Sequence, residues 1–129
     1  MLHKCLIVGL GGFFGANARY LLGVWAGQRW GTDFPYGTLI INITGCFLLG
    51  LFATLALRFV WSDQWRLLIA IGFLGAYTTF STFEYETLQL VAEGSWARAL
   101  ANVLISVSVG FLAAYLGVAL GRLGATVRL

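Results

Sequence analysis

The polar side chains that could do chemistry in this chain are few, and they stand inside apolar sequence. Asn42 lies eight residues into an uncharged run from Phe34 to Leu57, with Thr38 one turn before it and Thr44 just after. A buried amide brings two N–H donors and a carbonyl that all need partners. Threonines often bond back to their own helix, so Thr38 and Thr44 weigh less than Asn42. The packing alternative for Asn42 is a plain interhelical hydrogen bond.

The stretch Gly72-Phe73-Leu74-Gly75-Ala76-Tyr77-Thr78-Thr79-Phe80-Ser81-Thr82-Phe83 is stranger. Gly75 followed by Thr78 and Thr79 is poor helix material, so the sequence predicts a discontinuous helix. Breaks of this kind are tolerated where the freed backbone lines a cavity or meets other protein. They present carbonyls to cations and amides to anions. Phe80 and Phe83 are three apart, hence on one helical face. Core packing is the ordinary role of such a pair. They also bracket Ser81 and Thr82, and the positive edge of an aromatic ring beside hydroxyl donors suits a small anion.

Glu84 and Glu86 follow, two apart, so they point to different helix faces and form no hydrolytic dyad. Arg19 interrupts the first apolar segment and is placed to pair with a carboxylate or to sit in a vestibule. Asn102 and Ser106 are one turn apart in the last apolar segment and suit one polar track. An ionisable or amide group at membrane depth is a functional candidate by default.

These residues need a membrane scaffold. The chain has 129 residues, 60% hydrophobic and 10% charged, with mean hydropathy +0.87. Soluble domains carry about 25% charged residues, so an ordinary soluble domain is excluded. Disorder is excluded because low hydrophobicity is its signature. A span takes about 20 apolar residues, and the apolar segments fall at about residues 5–28, 34–57, 65–92 and 98–121. The sequence therefore predicts an all-α membrane protein of four transmembrane helices, the third broken mid-membrane, forming one membrane domain over residues 1–129. Pro35 suits a first helical turn. Trp30, Trp61, Trp65 and Trp96 fall at the breaks, where an aromatic belt belongs. An alternative is that Lys4, the apolar stretch after it and Ala16-Asn17-Ala18 form a cleavable signal. The glycines in the stretch and three further apolar segments favour a first span.

The remaining counts exclude other classes. A net charge of +3 is too small and scattered for nucleic-acid binding. Cys5 and Cys46 are set in apolar sequence and read as small buried hydrophobes. No Ser-His or His-carboxylate grouping supports an enzyme. Four spans put Lys4, Arg58, Arg66, Arg122 and Arg128 on one side, against Arg29 and Arg98 on the other. That bias orients the chain weakly, and it suits chains that insert both ways and pair antiparallel. The pairs Gly11/Gly15, Gly23/Gly27 and Gly117/Gly121 suit close helix packing and oligomerisation.

With these motifs, and with Gly11-Gly12-Phe13-Phe14-Gly15-Ala16-Asn17-Ala18-Arg19-Tyr20 and Pro35-Tyr36-Gly37-Thr38-Leu39-Ile40-Ile41-Asn42-Ile43-Thr44-Gly45, essentially the whole chain resembles the CrcB/Fluc fluoride channel family. The resemblance implies an antiparallel, dual-topology homodimer with two pores, in the cell membrane, exporting fluoride passively. It implies a pore built on Asn42, Phe80, Phe83, Ser81, Thr82, Glu86 and Ser106, with Arg19 closing the first motif. It implies a structural sodium at the dimer axis on the backbone carbonyls of Gly75 and Thr78. The chain departs from the family where many members carry a tyrosine near Asn102 and some a serine at Gly110. Ala76 replaces a family glycine. The runner-up is a proton-coupled exporter of the small multidrug resistance type, which needs a carboxylate that the first span lacks. A purely structural membrane subunit explains the glycines but not the polar third segment.

Overall fold

The computed structural model describes residues 1–124; Arg128 of the charge pattern lies outside them. Helix α1 spans Leu2–Trp30. Its 29 residues, at about 1.5 Å of rise each, exceed the roughly 30 Å hydrocarbon core of a bilayer. It stops at Gly31, whose φ of 79° is a conformation that glycine adopts without strain. Helix α2 spans Tyr36–Arg58. Pro35 stands one position earlier than the sequence predicts, outside the first turn, with its carbonyl accepting from Leu39 N–H at 3.1 Å.

Helix α3 covers residues 63–77, and helix α4 follows as Phe80–Ala92. Helix α5 spans Trp96–Leu123. No strand occurs among the described residues. Four stretches, with α3 and α4 together as Asp63–Ala92, are long and apolar enough to cross a membrane.

Two features of α3 were not legible in the sequence. From Arg66 to Leu74 it is wound as a π-helix, and Gly75 N–H reaches back five residues to Ala70 O. The helix also runs through Gly75, at φ −63° and ψ −35°, and gives out only at Thr78 and Thr79. Those two are extended, with ψ of 156° and 116°, a geometry that β-branched residues accept readily. The glycines of this stretch do a different job. A Cβ on Gly72 would lie 2.7 Å from Val8 O and 3.0 Å from Gly11 Cα, so Gly72 lets α3 lie directly on α1.

Small residues govern the remaining packing. Gly11 and Gly15 on α1 face the α3 backbone at Leu68, Gly72 and Phe73. Gly117 and Gly121 on α5 face Phe47, Leu51 and Thr54 of α2. Gly27 has open space around it, while Gly23 offers its Cα to Gly37. Helix α2 packs most extensively on α5, and α1 on α3. A small core forms where Ile41, Leu74 and Tyr77 meet, with Ala18, Leu22, Ile69 and Phe73 around them. Outward faces are apolar: Leu6, Phe13, Leu104 and Phe111 are among the many large exposed side chains. Asp63 draws Lys4 to 4.0 Å and Arg66 to 3.4 Å, and Arg58 Nη1 donates to Arg122 O at 2.6 Å.

These approaches set a contrast. Gly117→Ala drives a methyl into Phe47 O, overpacking that costs about 1–3 kcal/mol. Gly9 has nothing within 4 Å, and Gly9→Ala gains about 0.5–1 kcal/mol of helix propensity. Thermal unfolding in detergent should show a clear drop for Gly117→Ala and none for Gly9→Ala. Equal midpoints for the two would contradict the packing assignment.

Candidate functional site

The site grows out of the break between α3 and α4. In a continuous helix Thr79 N–H would bond Gly75 O, four residues back. Here it donates instead to Asn42 Oδ1 at 2.8 Å. Asn42 Nδ2 in turn donates to Thr79 O at 2.9 Å. One side-chain amide from α2 thus satisfies both backbone groups of the most extended residue in the break. Asn42 has two N–H donors, so its second remains after the Thr79 bond. Gly45, one turn on, makes room: a Cβ there would run into Thr78 Cγ2.

The restart of the helix follows the same economy. Thr79 is the N-cap of α4, and its Oγ1 accepts from Thr82 N–H at 3.3 Å, a role threonine serves well. That bond takes the donor that a continuous helix would aim at Thr78 O. The carbonyls of Gly75 and Thr78 both lose their helical donors at the break. Thr79 Oγ1 donates to Thr82 Oγ1 at 3.0 Å, so the Thr82 proton is free to be given onward. Tyr77 OH and Thr44 Oγ1 lie 2.8 Å apart. Since Thr44 gives its single proton to α2 carbonyls, Tyr77 is the donor of that pair.

Two cavities flank the break. The larger, about 810 Å³, is lined by Arg19, Thr38, Thr79, Thr82 and Glu86 among others. The smaller, about 340 Å³, is lined by Asn42, Gly75, Thr78, Thr79, Phe80, Phe83 and Ser106 among others. Thr79 belongs to both walls, so the Asn42–Thr79 pair lies where the two spaces adjoin.

Phe80 and Phe83 have ring centroids 5.8 Å apart, tilted by 44°. Their burial is unequal: Phe83 is 6% exposed and Phe80 is 74% exposed. Glu86 is half-buried and accepts from Thr38 Oγ1 at 2.9 Å, while its Oε2 is buried without a partner. Glu84 is exposed, as the two-residue offset implies. Arg19 shares the larger cavity with Glu86 without forming an ion pair to it.

The sequence-derived residues therefore divide. Asn42, Phe80, Phe83, Ser106, Gly75 and Thr78 meet at the smaller cavity. Arg19, Thr82 and Glu86 meet at the larger. Ser81 is exposed on α4 and lines neither cavity. Asn102 is 1% exposed and sits behind the cavity wall that Ser106 forms. Sequence reasoning missed Thr79 as the partner of Asn42, and discounted Thr38. Thr38 lies one turn from Asn42 on the same face, and that spacing was its available signal.

The Asn42 bonds carry a stability consequence. Asn42→Leu leaves Thr79 N–H and C=O unpaired, at about 1–3 kcal/mol each. Asn42→Asp, measured at a pH low enough to keep the acid neutral, retains the acceptor and an O–H donor, so it costs less. Unfolding midpoints in detergent should order wild type above Asn42→Asp above Asn42→Leu. A wild-type midpoint for Asn42→Leu would show that this amide does not hold the break.

The description CrcB-like protein, camphor resistance (CrcB), belongs to the family model that matches residues 6–118. A fluoride-specific ion channel FluC of Acidobacterium capsulatum is 53% identical over 120 residues, covering 92% of this chain and 96% of that protein. Proteins of the same description from Solibacter usitatus, 48% identical over 92% of this chain and 98% of the relative, and from Sulfurihydrogenibium sp., 44% identical over 95% and 99%, are similar throughout. A family match over these residues, with this level of identity along nearly the full length of each relative, shows that the chain belongs to the CrcB family.

Proposed function

We propose that this protein is a fluoride-selective channel that exports fluoride passively across the cell membrane, as a multi-pass protein. The observation that carries this reading is the clamped helix break, whose neutral donors line adjoining cavities. The relatives named fluoride-specific ion channels support it.

The physical problem is dehydration. Moving a bare small anion into low dielectric costs on the order of tens of kcal/mol by a Born estimate. The path must supply donors in place of water. The second N–H of Asn42 and the Thr82 hydroxyl can serve, Ser106 lines the wall with its proton turned to Asn102 Oδ1, and the edges of Phe80 and Phe83 add positive potential. Arg19 in the larger cavity raises the local concentration of anions. Among the described residues no basic side chain lines the smaller cavity, which favours passage over capture. Thr38 spends its proton on Glu86, so that pair shapes the wall and does not solvate the ion. This is channel chemistry, with no bond made or broken. The alternative, a proton-coupled small exporter, lacks its carboxylate: α1 holds no acidic residue.

The assembly we infer is an antiparallel, dual-topology homodimer with two pores. Phe80 is largely bare in one chain, and a second copy would complete the wall around it. The weak charge bias between the two ends suits insertion in both directions. A structural sodium would be held by the carbonyls of Gly75 and Thr78 from each copy. Both carbonyls are stripped of their helical donors at the break, and hard cations take oxygen ligands. A bound cation would supply positive potential at the axis.

Liposomes loaded with fluoride should empty once a potassium ionophore collapses the opposing voltage, and chloride-loaded ones should hold. Equal loss of both anions, or strict dependence on a proton gradient, would defeat the reading. In the same assay Phe80→Ile and Phe83→Ile keep bulk and remove the ring edge. Flux should fall roughly tenfold, the effect of about 1.4 kcal/mol on a barrier, with the dimer intact by size exclusion. Wild-type flux from both variants would make the rings packing residues. For topology, a single cysteine at one terminus of a chain otherwise free of cysteine should label from both sides of the membrane. Labelling from one side alone would rule out dual insertion.

A further inference from the structure

Among the described residues, side-chain bonds tie α4 and its N-cap to other helices at three residues. Two run to α2, at Thr79 and Glu86. The third runs to α5: Asn102 Nδ2 donates to Thr87 Oγ1 at 2.9 Å. Thr87 Oγ1 donates in turn to Phe83 O, one turn earlier, at 2.7 Å. On the other side Ser106 Oγ lies 3.5 Å from Asn102 Oδ1. A chain of bonds thus leads from α5 to the backbone of Phe83.

Asn102 is 1% exposed, the most completely buried large side chain among the described residues. Burying an amide costs free energy unless its partners are in place. Sliding α4 along α5, or rolling it about its axis, would strand Asn102 beside apolar neighbours. The bond therefore fixes the rotation of α4, and with it the direction of the Phe83 ring. Phe83 stands in the smaller cavity wall, whereas Asn102 lies behind Ser106.

We propose that Asn102 is a positioning residue for fluoride selectivity, acting through Thr87 on Phe83 and not by meeting the ion. This inference rests on the channel reading above. It assigns α4 two anchors of different kinds: α2 holds the break, and α5 holds the aromatic face.

The test exploits the bookkeeping of polar groups. Asn102→Leu leaves Thr87 satisfied by Phe83 O. Thr87→Val strands the Asn102 donor and should lower stability. The double variant removes the bond with an apolar pair in place of a polar pair, and the Ser106 hydroxyl that it releases faces the smaller cavity. Fluoride and chloride efflux from liposomes are compared per folded dimer, with size exclusion and thermal unfolding on the same samples. The double variant should unfold near the wild-type midpoint. It should pass fluoride roughly fivefold more slowly, about the worth of one hydrogen bond, with a lower fluoride-to-chloride ratio. Thr87→Ser keeps the hydroxyl and should restore both. Wild-type flux and ratio in the double variant would make the bond merely structural and overturn the proposal. Loss of flux in Asn102→Leu with normal flux in Thr87→Val would overturn it differently, by placing Asn102 on the ion. Absence of fluoride efflux from wild-type liposomes would refute the channel reading itself, and the positioning role with it.

Discussion

A helix that stops and restarts must find partners for the backbone groups it frees, because buried N–H and C=O groups are costly to leave unpaired. In this chain one amide meets most of that need. Asn42 accepts from Thr79 N–H and donates to Thr79 O, imitating the two-way exchange of a strand pair. Everything that distinguishes the site follows from that clamp. It releases the carbonyls of Gly75 and Thr78 from their helical donors. It sets Thr79 as the cap of α4, which aims Phe80 and Phe83 at the smaller cavity. It also leaves one Asn42 hydrogen outside the clamp.

The bundle around the clamp is shaped to permit it. Glycine at position 45 makes space for Thr78, and Gly72 brings α3 against α1. The π-wound part of α3 changes the angular register between these two positions, since five-residue bonds rotate side chains differently from four-residue bonds. Helix α4 then leaves α1 and lies against α5. Close approach at glycine sustains the scaffold, and a small set of neutral donors stands at the break.

Much of this was legible in the residues. Four apolar segments predict the four stretches long and apolar enough to cross a membrane, and Thr78-Thr79 beside Phe80 and Phe83 marks the break and its aromatic face. Asn42 stood out because an amide inside apolar sequence demands a partner. The identity of that partner was not legible, since any free backbone group would serve and only the fold brings Thr79 to it. Of the three residues that predicted the break, Gly75 stays helical, and the β-branched pair Thr78-Thr79 ends the helix. One-turn spacing put Asn102 and Ser106 on one polar track, and their side chains lie 3.5 Å apart. The bond from Asn102 to Thr87 is what sequence spacing alone does not reveal.

The central claim is that the break is a fixed structure closed by Asn42, and its most direct test is amide hydrogen exchange at Thr79 in bilayer-embedded protein. Thr79 is extended and lines both cavities, so without a partner its N–H would exchange with cavity water as fast as a loop amide such as that of Thr32. The account predicts slow exchange at Thr79, comparable to the helical amides of α4, and acceleration to the loop rate in Asn42→Ala. Fast exchange at Thr79 in the wild-type protein would contradict it.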